Sequence, residues 1–226
     1  MYGPKISVTF DRGKGPIEIS MGPVIDEKAA AKTFTEFFAD SRTRFYLSPN
    51  FPFAESNEAD YFKSAASNPD VVTWTATVDG KLIGSVALHA VDVINQHAEI
   101  GIVIGDKDYW GKGIARVLEA MVLEYAFRIY ISGGLHKIVC KVYIHGDGNG
   151  GNLASKKAIE SLGFRTVGVQ RDQLWKNGRW VDVWIGEILN SEWQTVRKDV
   201  LKKIGVKRFN LFPGCEDVGK VDEIVE

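Results

Sequence analysis

Chemistry in this chain is concentrated where an alternating apolar segment, Glu99–Ile104, crosses a short polar loop into a long helical pattern. The join is Trp110-Gly111-Lys112-Gly113-Ile114-Ala115. Two glycines let the backbone turn sharply and place no side chain between its amides and a ligand. The first amides of the following helix lack intrahelical partners and sit at the positive end of its dipole, so the loop suits an anion, most naturally a phosphate or pyrophosphate. Spacing separates it from other phosphate loops. G-x-x-x-x-G-K-[ST] is not supplied by Gly105 to Gly113, and after Gly111-x-Gly113 the third position of G-x-G-x-x-G is Arg116.

The elements that must carry this loop can be read along the chain. A strand is expected around Ile17–Met21, preceded by a flexible or edge segment. Asp26 caps a helix running through EKAAAKTFTEFFADSRTRFYL, with Ala30, Phe34, Phe37 and Phe38 at helical spacing. Ser48–Pro52 breaks the chain, and a second helix covers about Ser56 to Ala66, capped by Ser56 or Asn57. Val72, Trp74, Ala76 and Val78 alternate up to the turn at Asp79-Gly80, the strongest hairpin signal present. The strand after the turn, Leu82-Ile83-Gly84-Ser85-Val86, continues to about Val93, and Asn95-Gln96 turns into Ala98–Ile104. After the helix from Gly113 come a buried strand, HKIVCKVYI, the glycine-rich insert His145–Gly151 and a short helix Asn152–Leu162 ending at Gly163. A hairpin of Phe164–Leu174 and Trp180–Leu189, turning at Asn177-Gly178, precedes a last helix and a loosely ordered acidic tail. The pattern predicts an α/β single domain with a mixed, largely antiparallel sheet.

Composition narrows the function classes. The chain has 226 residues, 45% of them apolar and 25% charged, ordinary for a globular protein with a sizeable core. A formal net charge of -1 gives no electrostatic case for nucleic acid or an anionic membrane. No apolar run reaches the roughly 20 residues of a membrane span. Cys140 and Cys215 make neither a disulfide framework nor a metal cluster, and His89, His97, His136 and His145 lack metal-ligand spacing. These features predict a reduced, cytoplasmic protein without a metal. Tryptophans 74, 175, 180, 184 and 193 fall mostly in strand patterns and are expected to pack in the core or on a face.

Four motifs in sequence carry a resemblance. Gly113-Ile114-Ala115 resembles the G-x-[G/A] end of the [Q/R]-x-x-G-x-[G/A] loop of the GNAT acetyltransferases, and Tyr109-Trp110 matches the Y-W-G-K-G-x-A version of the RimJ/RimL-type branch. Asn152-x-x-Ser155 followed by Glu160-Ser161-Leu162-Gly163-Phe164 is similar to the family's N-x-x-[SA]…E-K-L-G-F helix. Arg171 to Asp182 resembles the R-D-x-x-x-x-N-G-x-[WY]-x-D hairpin, and Asn190-Ser191-Glu192-Trp193 fits the end of that branch. The resemblance implies the GNAT-like acyl-CoA N-acyltransferase fold over residues 1–195, with 196–226 as a C-terminal helix and tail.

It also implies acetyl-CoA as cosubstrate and direct acetyl transfer to a primary amine, either a protein N-terminus or a small molecule such as an amino sugar, polyamine or toxin. Backbone of Ile102, Val103 and Ile104 would hold the pantetheine arm and polarise the thioester carbonyl. Gly111, Lys112, Gly113, Ile114, Ala115 and Arg116 would hold the pyrophosphate, and Asn152 the cofactor arm, with Asn149 a substitute given the long insert. Glu99 is the candidate base for the amine. The late-helix position where many members carry a Tyr acid is Ile159, and Ser155 is the candidate in its place. The missing Tyr and the insert keep open a non-catalytic acyl-CoA-binding sensor or interaction module. Homodimerisation through the final hairpin or the tail is compatible with this branch.

Overall fold

The computed structural model describes residues 1–47, 54–144, 151–176, 178–210 and 223–224. The strands are β1 (Ile6–Phe10), β2 (Ile17–Gly22), β3 (Val72–Val78), β4 (Lys81–Asp92), β5 (His97–Ile104), β6 (Lys137–Ile144), β7 (Arg165–Lys176), β8 (Arg179–Leu189), β9 (Val206–Asn210) and β10 (Glu223–Ile224). The helices are α1 (Glu27–Ala39), α2 (Ser41–Phe45), α3 (Glu55–Ser67), α4 (Ile114–Arg128), α5 (Leu153–Glu160) and α6 (Asn190–Ile204). Among the described residues the strands form one sheet in the order β10-β9-β1-β2-β3-β4-β5-β6-β8-β7.

Every neighbouring strand pair is antiparallel except β5 with β6. That parallel pair is registered only from His97↔Lys137 to Ile100↔Cys140. Beyond those residues β5 stays on β4 to Ile104 and β6 stays on β8 to Ile144. The sheet therefore parts in its middle, over one half of two strands.

Alternation along β4 and β5, reset in β4 by a bulge at Ile83, divides the faces. Val86, Leu88 and Ile100, with Ile102 and Ile104 packed against them, belong to the large core under α4. Leu82 and Val103 face a smaller core of Val24, Ala30, Ala31, Phe34, Phe38 and Phe62 under α1 and α3. α4 is buried almost all round, its Val117 to Phe127 inaccessible, because α6 covers the side turned from the sheet. Glu124 on that side accepts from Arg197 Nε at 2.7 Å, Arg197 Nη2 at 2.6 Å, Trp193 Nε1 at 2.8 Å and Arg128 Nη1 at 2.7 Å. A fully buried carboxylate is tolerated here because guanidinium and indole donors surround it.

Several expectations change. The long helix from Asp26 breaks at Asp40, which is extended (φ -76°, ψ 121°) and both ends α1 and caps α2, accepting from the Arg42 amide at 2.8 Å. An Asp-Ser pair offers the backbone a cap that competes with helix continuation. Asp26 does cap α1, at 3.0–3.1 Å. α3 starts after Ala54, and Asn57 acts from its third helical position, accepting from the Ala54 amide at 3.2 Å. The segment before Ile17 carries β1, whose Ile6, Val8 and Phe10 are buried between β2 and β9. The 195/196 division falls inside α6, and β9 joins the sheet beside β1. Trp74, Trp184 and Trp193 are core residues, but Trp175 and Trp180 are each 57% exposed, an edge-to-face pair across the tip of the β7–β8 hairpin. Asn177 of that turn lies outside the described residues, as do Ser48–Pro52, residues 145–150 of the insert, with His145 and Asn149, and the tail holding Cys215.

Candidate active site

The loop after β5 is locked before it reaches α4. Asp106 caps a 3-10 turn, Lys107–Tyr109, by accepting from the Asp108 amide at 3.0 Å. Trp110 Nε1 then donates to the Ile104 carbonyl at 2.7 Å, tying the loop back onto the strand. Gly113 stands at the N-cap of α4 with φ +83°, and no side chain caps the helix. A Cβ on Gly113 would also lie 3.0 Å from Arg12 Nη1 and 3.2 Å from Arg116 Nη2. The uncapped helix end is thus left to a ligand and flanked by two guanidiniums, the setting an oxyanion-rich group requires.

Where β5 and β6 part, a cleft passes from one face of the sheet to the other. Its α4 side, about 530 Å³, is lined by Ile102, Val103, Ile104, Gly111, Gly113, Ile114, Ala115 and Arg116, together with Asn152, Ser155 and Ala158 of the α5 segment. Its opposite side, about 330 Å³, is lined by Glu99, His89, Gly101, Lys141, Tyr61 and Tyr143. Tyr46, Leu47, Ile102, Val103, Glu119, Asn152 and Ser155 border both. Gly101 contributes to the opening, since a Cβ there would meet the His89 ring at 3.1 Å.

All the residues expected at the site from the sequence border this cleft except Lys112, whose ammonium lies over the Tyr109 ring at 5.3 Å. Asn152 also caps α5, its Oδ1 accepting from the Ser155 amide at 3.2 Å. Gly151, just before it, bridges to Ile144 with φ +81°, and a Cβ there would fall 2.5 Å from the Ile144 Cα. Glycine alone brings the α5 cap this close to the end of β6. Glu99 accepts from Lys141 Nζ at 2.6 Å. The cross-strand neighbour of Glu99 is His89, held below the usual imidazole range by burial, with the Glu99 charge opposing.

Sequence reasoning missed Arg12 beside the glycine loop and the residues on the other side of the cleft. Arg12, Tyr46, Leu47, Tyr61, His89 and Tyr143 arrive from remote elements, and no spacing links them. The end of α2 is held over the cleft by Tyr143, whose hydroxyl donates to the Phe45 carbonyl, and by Lys176, whose ammonium donates to the Leu47 carbonyl and, at 3.3 Å, to that of Arg44. Burial lowers the Lys176 pKa. Glu119, in the second turn of α4, had a readable signal: a carboxylate inside the apolar run VLEAMVLEYAF.

Among the described residues no group of three or more His, Cys, Asp or Glu is placed to hold a metal, and no helix is long and apolar enough to cross a membrane. Comparison with known proteins agrees with this architecture. A spermidine N-acetyltransferase from Vibrio cholerae, solved in complex with CoA and spermine, superposes with a TM-score of 0.67 at 22% identity, over 78% of this chain and 98% of that one. Sequence relatives include a Bacillus subtilis protein provisionally named ribosomal N-acetyltransferase YdaF, 33% identical over 116 residues. Another is the spermidine N(1)-acetyltransferase of Vibrio cholerae, 34% identical over 112 residues. The matches span 51% and 50% of this chain, and 58% and 59% of those relatives' own lengths. The model of the acetyltransferase (GNAT) domain matches residues 22–165, well over half of the chain. With that match on the same residues that build the parted strands, the glycine loop and α5, the chain belongs to the GNAT acetyltransferase family.

Proposed function

We propose that the chain is an acetyl-CoA-dependent N-acetyltransferase of the RimJ/RimL type, moving the acetyl group directly to a primary amine. The observation that carries this reading is the cleft through the sheet: one mouth opens on an anion-binding helix end, the other on a separate cavity with a carboxylate. Two substrates can meet there without a covalent enzyme intermediate, and holding them together removes much of the entropic barrier.

The residues fit acetyl-CoA. The uncapped start of α4, with Arg12 and Arg116, matches a pyrophosphate. The edge of β5 from Gly101 to Ile104, past its last pair with β6, offers backbone groups to an extended amide-bearing arm. Trp110 already engages the Ile104 carbonyl and the Val103 carbonyl lies against Gly84 of β4, which leaves Ile102 as the main backbone for the arm and the thioester oxygen, with Val103 lining the cleft beside it. Bound there, acetyl-CoA supplies an activated acyl group. The chain's own work is to polarise the carbonyl, bring up a neutral amine and manage two protons. Glu99, exchanging its Lys141 partner for the acceptor's ammonium, draws it to the far mouth and takes its proton, directly or through water. Ser155, at the first turn of α5, donates a hydrogen bond toward the leaving sulfur. The branch assignment rests on the hairpin motif. In it, Asp182 accepts from the Asp172 amide at 2.9 Å and holds Asp172 at φ +50°.

A non-catalytic acyl-CoA-binding module is the second reading, favoured by the Glu99–Lys141 ion pair and by Ile159 where a Tyr acid is usual. One experiment separates the two: release of CoA from acetyl-CoA against a panel of N-terminal peptides, polyamines, aminoglycosides and amino sugars, with thermal shifts alongside. Turnover on one acceptor class, reduced about 10²-fold or more in Glu99→Gln and lowered in Ser155→Ala, with the CoA-induced thermal shift retained, supports the enzyme. A thermal shift with no turnover supports the binding module, and no shift at concentrations well above a micromolar Kd defeats both.

A further inference from the structure

Glu119 has no part in the mechanism above, yet it is the most deeply set polar group of the cleft. Its side chain is 1% exposed, and Oε2 has no hydrogen-bond partner. It borders both cavities, so it sits at the passage where a thioester entering on the α4 side and an amine entering from the far side must react. A buried polar atom without a partner is costly, and native structures keep one mainly where function uses it.

Few charges oppose its neutral form. On its own helix Arg116, one turn earlier, is the charge that favours ionisation. From β6 it faces the Cys140 thiol, itself pushed up by burial, then by Glu119 and Glu99. Further along the cleft lie His89 of β4, Glu99 of β5, Lys141 of β6 and, on the α4 side, Lys157 of α5.

Resting on the acetyltransferase reading, we infer that Glu119 is the general acid of the transfer, giving its proton to the thiolate sulfur that leaves at the passage between the two cavities. As the amine nitrogen bonds to the acetyl carbon, the carbon–sulfur bond breaks and its electron pair stays on sulfur, which takes the Glu119 proton. The surplus proton on nitrogen leaves on the Glu99 side. Glu119 is then a carboxylate and regains a proton from water once the thiol has gone, as Glu99 loses its own.

Acid strengths support this division. Burial pushes Glu119 up to about 8, so it holds a proton at neutral pH. A cysteine thiol ordinarily titrates at about 8.5 and a simple alkyl thiol is a weaker acid still, so the transfer from Glu119 to the thiolate runs level or downhill. A serine hydroxyl is far too weak an acid to be the net source, which leaves Ser155 as a hydrogen-bond donor.

The test uses the full chain and three measurements. In the ligand-free protein, infrared spectroscopy is expected to show the carbonyl stretch of a protonated carboxyl at neutral pH, fading as pH rises through about 8 and missing from Glu119→Gln. Calorimetry is expected to find acetyl-CoA binding unchanged in Glu119→Gln while transfer slows about 10²–10⁴-fold. The wild-type rate is expected to fall on the alkaline side, Glu119→Asp to keep that limb at a reduced rate, and Glu119→Gln to lose it. If Glu119→Gln fails to fold, the wild-type infrared titration and the Asp variant decide. A transferring wild type with an equally fast Glu119→Gln, or with no protonated carboxyl band, overturns the general acid alone. A wild type that binds acetyl-CoA but transfers to no acceptor removes the acetyltransferase reading, and the general acid with it.

Discussion

Arg12 reaches Gly113 from near the start of the chain and Arg116 from the next turn of the same segment, and they differ in how readable they are. Arg116 lies three residues into the helix that the glycine loop starts, so spacing alone places it near a bound anion. Arg12 sits in the turn between β1 and β2 and reaches the loop only because β1 lies within the sheet. A hydrogen bond to a charged group contributes about 1.5–3 kcal/mol, reduced at Arg12 by its exposure to solvent. Arg116→Met is therefore expected to raise KM for acetyl-CoA about tenfold or more with kcat little changed, and Arg12→Met to raise it less. Raising ionic strength is expected to shrink the Arg12 effect first, since exposed charges are screened more strongly. Steady-state kinetics at two salt concentrations check both, and an unchanged KM in Arg116→Met would remove the pyrophosphate role of this helix end.

At the scale of elements, α4 is held from two directions, by the parted sheet and by α6. Glu124 couples α4 to α6 through Arg197 and Trp193, and its removal leaves a guanidinium that is 7% exposed without its main counter-charge. Breaking such a pair from one side is destabilising by about 3–5 kcal/mol. Glu124→Ala is expected to lower the unfolding free energy from denaturant titration by that amount, and a double variant with Arg197→Met to recover part of the loss; additive losses would refute the coupling. The strands β5 and β6, the loop and the α5 cap were legible along the chain, because those depend on local features: alternation, glycines at positive φ, an Asn before a short amphipathic helix. Elements that depend on remote partners were harder to read. The segment before Ile17 reads as flexible or edge, and that its Ile6, Val8 and Phe10 belong to a strand inside the sheet depends on β9, nearly two hundred residues later. The far wall of the cleft has the same cause. Tyr46, Tyr61, His89 and Tyr143 come from α2, α3, β4 and β6, and only the folded sheet brings them together.

For the whole molecule, the buried carboxyls give stability an unusual dependence on pH. Burial pushes Glu58 of α3 up to about 7 and Glu119 up to about 8, against an ordinary value of 4.5. A carboxyl whose folded pKa is raised keeps its proton in the native state while the unfolded chain has already lost it. Between 4.5 and these raised values the native state binds more protons, so stability falls as pH rises. His89 works the other way: burial lowers its pKa below 6.5, so its contribution grows as pH rises toward 6.5 and is constant above. From 6.5 to about 8 the two glutamates act without that opposition. Wild-type unfolding free energy is expected to decline over this window, Glu119→Gln to flatten most of the decline, and Glu58→Gln to flatten its lower part. Urea denaturation at both ends of the window measures this for the three proteins without any ligand. The Met1 amine, whose pKa burial lowers from 8.0, opposes the decline in wild type and variants alike, so a wild type with the same slope as Glu119→Gln would mean that Glu119 is already ionised in the native state, and a proton-bearing Glu119 at neutral pH would be untenable.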